Sequence, residues 1–293
     1  MLSKLIRHGI GLVALVSGVA LFPGKGKTDD APIPIDREQL SGAEEIKTTV
    51  QYGAPIAIWA VLEHGERVEC LDCISYVEPL LYDKDARVRE ISAWWIRRRV
   101  FGYAEVALRV RDAVANDPDP VRRAAAANAL GEFLDGGATP LLVKAARDAD
   151  PGVRAAALSA IRRLNDPEGA PAISAALTDG DATVRNTALE AAIHVGGFSD
   201  VASVANLLSD ADPHVRAKTC DALGIFKAKG SGAGLSAIAR ADADEEVRIA
   251  AVNALGELGD PSARNVIEAA KGDPSTRVQD AAKVASLKIT GGI

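Results

Sequence analysis

The sequence predicts an all-α fold: a right-handed α-solenoid of about seven stacked helical hairpins behind an N-terminal helical cap. Three observations predict it. Apolar residues make up 48% of the chain but aromatics only 4%, so the core must be built from Ala, Val, Leu and Ile, a mixture that suits close-packed helices. A stretch that reads Asp, three residues, Arg, then a small-residue helix recurs along the chain at a near-constant step. Shorter amphipathic segments with helical spacing alternate with those stretches. A hairpin repeated at such a period cannot bury its apolar face alone, but a stack can.

Taken in order, residues 1–22 stand apart. Lys4, Arg7 and His8 precede "GIGLVALVSGVALF", an apolar run of about 14. That is the layout of a secretory signal, and it is short of the roughly 20 residues that span a bilayer. Gly18 and Ala20 supply small residues for a cut after Ala20, which would change the net charge from −6 to −6 − 2 = −8. The expectation is export to the periplasm or cell envelope. An uncleaved N-terminal segment, the chain's only expected membrane attachment, and a cytoplasmic chain are the alternatives. Residues 23–36, "PGKGKTDDAPIPID", read as a flexible linker. Residues 37–69 read as capping helices, with Ser41 and Glu44 at capping-box spacing.

The array runs from 70 to 293. Its copies begin at Asp85, Asp119, Asp150, Asp181, Asp212, Asp244 and, degenerate, Ser275, with steps of 34, 31, 31, 31, 32 and 31. The leading residue suits an N-cap, and Pro120, Pro151 and Pro213 suit the position after it. Three residues beyond the Arg stand Ser92, Ala126, Ala157, Ala188, Thr219, Ala251 and Ala282, all small enough for close helix approach. Five beyond it, Asn128, Ser159, Glu190, Asp221 and Asn253 mark a solvent-facing side.

The "DPxVRxxAxxALG" pattern, seen in Asp119–Gly131, Asp150–Ile161, Asp212–Gly224 and Asp244–Gly256, resembles the HEAT repeats, and most closely the short HEAT-like repeats of phycobilisome lyases. The resemblance covers about residues 70 to 290. In that family the repeated Arg and Asp form ladders between repeats. It therefore implies a structural ladder here of Asp85, Arg89, Asp119, Arg123, Asp150, Arg154, Asp181, Arg185, Asp212, Arg216, Asp244 and Arg248.

Chemistry is hard to find in such a chain. No bilin-specific feature stands out. The di-iron deoxyhypusine hydroxylases take ligands from His-Glu dipeptides, and none of His8, His64, His194 and His214 precedes Glu. The acidic balance argues against nucleic acid as partner, and so against HEAT-like DNA glycosylases. "GSGAG" at 230–234 lacks the strand and the Lys-Ser/Thr of a phosphate loop and reads as an inter-repeat turn. No cofactor, metal site or catalytic residue is expected; the chain reads as a monomeric protein-binding scaffold that uses the surface of its second helices.

Two features break the pattern. Trp95 stands where the other copies have Ala, and Trp94 at the solvent-facing position, followed by Arg97, Arg98 and Arg99. Exposed Trp beside Arg is typical of interface hot spots, so Trp94, Trp95, Arg97 and Arg98 are a candidate partner site. Packing of both tryptophans under the cap around Trp59 is the competing reading. Cys70 and Cys73 form a Cys-x-x-Cys pair at the entry of the first hairpin. Covalent haem is disfavoured because residue 74 is Ile, zinc because four ligands are wanting, and a thioredoxin-like role because it needs a βαβ context. A local disulfide, free thiols and a redox- or metal-linked pair that would serve an enzyme or redox system stay open, the first favoured by export. Cys220 reads as a buried thiol.

Overall fold

A computed structural model describes residues 42–291; the expected signal and linker segments lie outside them. Two cap helices, α1 (Ala43–Tyr52) and α2 (Pro55–His64), precede seven hairpins. The first hairpin pairs α3 (Leu71–Val77) with α4 (Ala86–Arg97), and the second α5 (Tyr103–Asn116) with α6 (Pro120–Phe133). Then come α7 (Thr139–Ala145) with α8 (Pro151–Leu164), and α9 (Ala170–Ala176) with α10 (Ala182–His194). The last three pair α11 (Val201–Asn206) with α12 (Pro213–Ile225), α13 (Gly232–Ala241) with α14 (Glu245–Leu258), and α15 (Arg264–Ala270) with α16 (Thr276–Thr290). The described residues contain no strand, and none of their helices is long and apolar enough to cross a membrane.

The second helix of every hairpin starts the same way. Asp85, Asp119, Asp150, Asp181, Asp212, Asp244 and Ser275 each accept from backbone N–H groups of the first turn, so orphan donors of the helix start are satisfied. Ser92, Ala126, Ala157, Ala188, Thr219, Ala251 and Ala282 are all fully buried, as their size and spacing require. Helices approach closely at Gly131 and Gly256, where an added Cβ would stand 2.9 Å from the backbone Cα of Ala160 and of Ala285 in the next hairpin. Two local expectations fail. α1 is capped by Gly42 without a side chain, and Glu44 pairs with Lys47 instead. Only the first part of "GSGAG" is a turn; Gly232 to Gly234 open α13.

Arginine–aspartate rungs link the hairpins, but of the twelve expected ladder residues only Arg123, Arg154, Arg185, Arg216 and Arg248 take part in them. The N-cap aspartates do not face the arginines. Arg123, Arg154, Arg185, Arg216 and Arg248 instead grip Asp148, Asp179, Asp210, Asp242 and Asp273, each bidentate through Nε and Nη2 at 2.7 to 3.0 Å. Each of these aspartates stands two residues before the next cap and also accepts that cap residue's own N–H at 2.8 to 3.0 Å. The third arm of each arginine, Nη1, donates to the carbonyl of the same turn in its own repeat at 2.8 to 3.0 Å. Each arginine therefore ties its own turn to the turn of the following hairpin. A fork-shaped donor is what this geometry needs, since Lys offers no parallel pair of N–H groups. The bonds from Arg123, Arg216 and Arg248 hold the carboxyls of Asp148, Asp242 and Asp273 below the usual range. Burial pushes Asp179 and Asp210 up, but the arginine and backbone bonds together still leave them low. In the last copy Gln279 donates to the Asp273 carbonyl at 2.8 Å, keeping the arm within the repeat where no further hairpin follows among the described residues.

Candidate functional site

The cap meets the array around the cysteine pair. Cys70 is the N-cap of α3, Cys73 lies in its first turn, and their sulfurs are at disulfide distance, 2.14 Å. Both are buried, Cys70 with 8% of its surface exposed and Cys73 with none, and Cys73 Sγ lies 3.6 Å from the Ala43 carbonyl at the start of α1. Trp95 is not at a surface. It is wholly buried, and its Nε1 donates to the Gly65 carbonyl at 3.1 Å. In the other copies this position is an Ala; here the neighbour is the short cap helix α2, and the larger ring fills the space. Arg99 closes the joint. It is 2% exposed, lies over the Trp95 ring at 4.0 Å, and donates to the carbonyls of Trp95, Val68 and Glu66.

The neighbouring candidates are engaged as well. Arg98 lies over Trp94 at 3.8 Å and donates to Glu66 Oε1 at 2.8 Å. Arg97 reaches across to the Glu132 carbonyl at 3.0 Å. Trp94 is half-buried against the core. The expected hot spot of Trp94, Trp95, Arg97 and Arg98 is thus largely an internal junction: the cap segment offers Trp95 a carbonyl and Arg98 a carboxylate, and the second hairpin offers Arg97 a carbonyl. Arg99 was missing from that expectation, although its place in "WWIRRR" was visible.

The seam between the first and second hairpins differs from every later one. The position before the ladder arginine, or before Gln279 in the last copy, is a buried Val in six copies, Val88, Val153, Val184, Val215, Val247 and Val278. In the second copy it is Arg122, with Val121 displaced to the surface at 72% exposure. Arg122 lies over the Tyr82 ring at 4.1 Å and takes Asp117 through Nε at 2.8 Å. Asp117 is the carboxylate that the ladder would offer Arg89. Arg89 keeps its own-turn bonds, to the Asp83 and Lys84 carbonyls at 2.6 and 3.1 Å, but no carboxylate among the described residues faces its other edge. A groove of about 230 Å³ opens there between α4 and α6, lined by Leu81, Arg89, Glu90, Asn128, Glu132 and Arg163. Arg163 pairs with Glu132 at 2.6 Å, while burial pushes the Glu132 carboxyl up. Beside the same seam Val100 and Phe101 stand 80% and 66% exposed, in the turn that Gly102 closes with a φ of +89°, a conformation that suits glycine.

Along the second helices Asn128, Ser159 and Glu190 are half-buried, and Asp221 and Asn253 exposed. They form a polar row outside the core. His194 Nδ1–H donates to the Glu190 carbonyl at 2.7 Å, and His214 lies in the first turn of α12. Cys220 is buried and its thiol is pushed up to about 12 by that burial. Among the described residues no group of His, Cys, Asp and Glu is placed to hold a metal ion.

Among the described residues, fourteen helices in seven hairpins, five of whose seams are stitched turn to turn by arginine, define an α-solenoid. The repeats are HEAT repeats, matched over residues 108–193 and 232–290, and the chain is a HEAT-repeat protein. No curated protein sequence matches it. Among solved structures it is similar to YibA from Escherichia coli, with 19% identity and a TM-score of 0.60 over 84% of this chain and 92% of that one. It is similar to Kap95p, in its work with RanGDP, with 13% identity and a TM-score of 0.61 over 85% of this chain; it spans 39% of Kap95p. The CpcE–CpcF complex of phycocyanin lyase from Nostoc matches at 20% identity and a TM-score of 0.42, over 74% of this chain and 94% of that one, too low to carry an argument. At these identities the likenesses speak for the fold.

Proposed function

We propose that the chain is a non-catalytic protein-binding scaffold that works in the cell envelope after export and presents its second helices to a partner. The observation that carries this reading is the division of labour among the repeated polar residues. The arginines of the second to sixth copies and their aspartates are consumed by the ladder. The row Asn128, Ser159, Glu190, Asp221 and Asn253 is left outside the core at one position per hairpin, which makes a long, regular contact strip. The half-exposed face of Trp94 stands at the same position of the first hairpin. Kap95p, one of the fold neighbours, binds a protein, RanGDP, which supports the reading by fold alone. The basic n-region and short apolar run of residues 1–22 support export.

The test is site-specific photocrosslinking in the native cell. A crosslinking side chain at Asn128, Asp221 or Asn253 is expected to capture one and the same protein in the envelope fraction. A position on the opposite, first-helix face, such as Ala115, should capture none. Crosslinks only from Ala115, or none from the strip, would sink the scaffold reading. The cysteine pair supports a staple more than a redox partner's active site, because both residues are buried, which leaves little surface for an incoming thiolate.

A further inference from the structure

We infer that Arg89 is a carboxylate receptor, an unfilled rung of the ladder that takes an acidic group from the partner; this rests on the protein-binding reading above and names the chemistry of one contact within it. The chain itself supplies the precedent five times. In each case the arginine is fixed to its own turn by Nη1, which leaves Nε and Nη2 as a parallel pair, and that pair closes on one carboxylate at 2.7 to 3.0 Å. Arg89 has the same own-turn bonds, to the carbonyls of Asp83 and Lys84. Its Nε–Nη2 edge is therefore aimed where the next hairpin's aspartate would stand.

That aspartate is elsewhere. Asp117 is held by Arg122, whose guanidinium lies on Tyr82 in place of the usual core Val. Arg89 instead lines the groove between α4 and α6. The charges around it decide the ligand. Arg163 and Glu132 neutralise each other, so Arg89 and Glu90 remain, and Glu90 has no basic partner within 4.0 Å among the described residues. Glu90 does not fill the edge and opposes an incoming anion. The receptor is thus weak for small free anions and suited to a carboxylate that peptide contacts hold in place.

The chain's own ladder turn is the probe. A peptide of sequence Leu-Leu-Ser-Asp-Ala-Asp-Pro, copying residues 207–213 and blocked at both ends, is titrated into the full chain while the Arg89 Nε–H resonance is followed by NMR. The expected result is saturable movement of that resonance, lost with the peptide in which Asn replaces the first Asp. Arg89→Gln should weaken binding about tenfold or more. It keeps the bond to the Asp83 carbonyl, as Gln279 does to Asp273, so an unchanged thermal midpoint certifies its fold. Glu90→Gln should tighten binding. A second peptide, with Asn at both acidic positions and a free C-terminus, separates the sources. If it binds in place of the blocked Asp peptide, the receptor takes a terminal carboxylate. If neither peptide moves the Arg89 resonance, or Arg89→Gln binds as well as the wild type, the receptor is refuted. Crosslinking from the strip would stand regardless, so the two readings fail separately.

Discussion

Aspartate does two distinct jobs in this molecule that look alike in sequence, and substitutions separate them. Asp212 caps α12, accepting from the N–H groups of His214 and Val215. Asp210, two residues earlier, accepts two charge-assisted bonds from Arg185 and one from the Asp212 N–H. Losing a cap costs about 1 kcal/mol. Losing a bidentate partner from a mostly buried arginine costs more, about 2–3 kcal/mol. Urea unfolding should therefore rank Asp210→Ala as the more damaging of the two; the reverse order would mean that the caps and not the rungs hold the turns. The same logic assigns the tryptophans. Trp95→Ala empties a wholly buried site and strands its hydrogen bond at the Gly65 carbonyl, so it should cost about 3–5 kcal/mol. Trp94→Ala, on a half-buried ring covered by Arg98, should cost less than half of that. Equal losses in thermal unfolding would show that both rings are core.

At the level of helices and hairpins, much was legible in the sequence and the rest fails for physical reasons. The period fixed the phase of every second helix, and the small residues three beyond each arginine marked the buried stripe. The caps were equally visible, because an N-cap is a local property of one residue and its next turn. Ladder partners are not local. Asp83, Asp117, Asp148, Asp179, Asp210, Asp242 and Asp273 recur at one position in all seven copies, a signal that was present but reads as ordinary turn composition until the arginine of another repeat is seen to reach it. Trp95 failed in the same way, since a residue's size tells that it departs from the pattern but not which neighbour receives it. Glycine at the helix crossings is a clearer case. Gly256 faces the backbone of Ala285 closely enough that an added methyl would have to move a helix. Gly256→Ala should destabilise the chain by about 1–3 kcal/mol, despite the better helix propensity of Ala. Gly259→Ala tests the other origin of cost, since its φ is +63° with open space around it. Parity between wild type and Gly256→Ala in denaturant would place the crossing elsewhere.

The whole array behaves as a one-dimensional stack, with stability set by each hairpin and each seam. Five seams carry a rung whose carboxylate is held below its usual range. A carboxyl whose folded value lies below its unfolded one stabilises the fold fully above the unfolded value, near pH 4. That contribution disappears as the pH falls through the depressed values. The opposite sign belongs to Glu132, whose carboxyl burial pushes up, but it is one against five. The seam between the first and second hairpins has no rung. It is crossed by the Arg97 bond to the Glu132 carbonyl, by the stack of Arg122 on Tyr82, and by the ion pair of Arg109 with Glu78, in which Arg109 is 53% exposed. An ion pair so exposed contributes little. At neutral pH, hydrogen exchange should therefore show residues 43–97 opening as a unit more readily than residues 120–290. Below about pH 4 the five rungs weaken together while the first seam loses only its minor ion pair, so the difference in protection between the two segments should shrink before global unfolding. Uniform protection at pH 7, or a difference that widens in acid, would show that the arginine–aspartate rungs are not what makes the later hairpins cooperate.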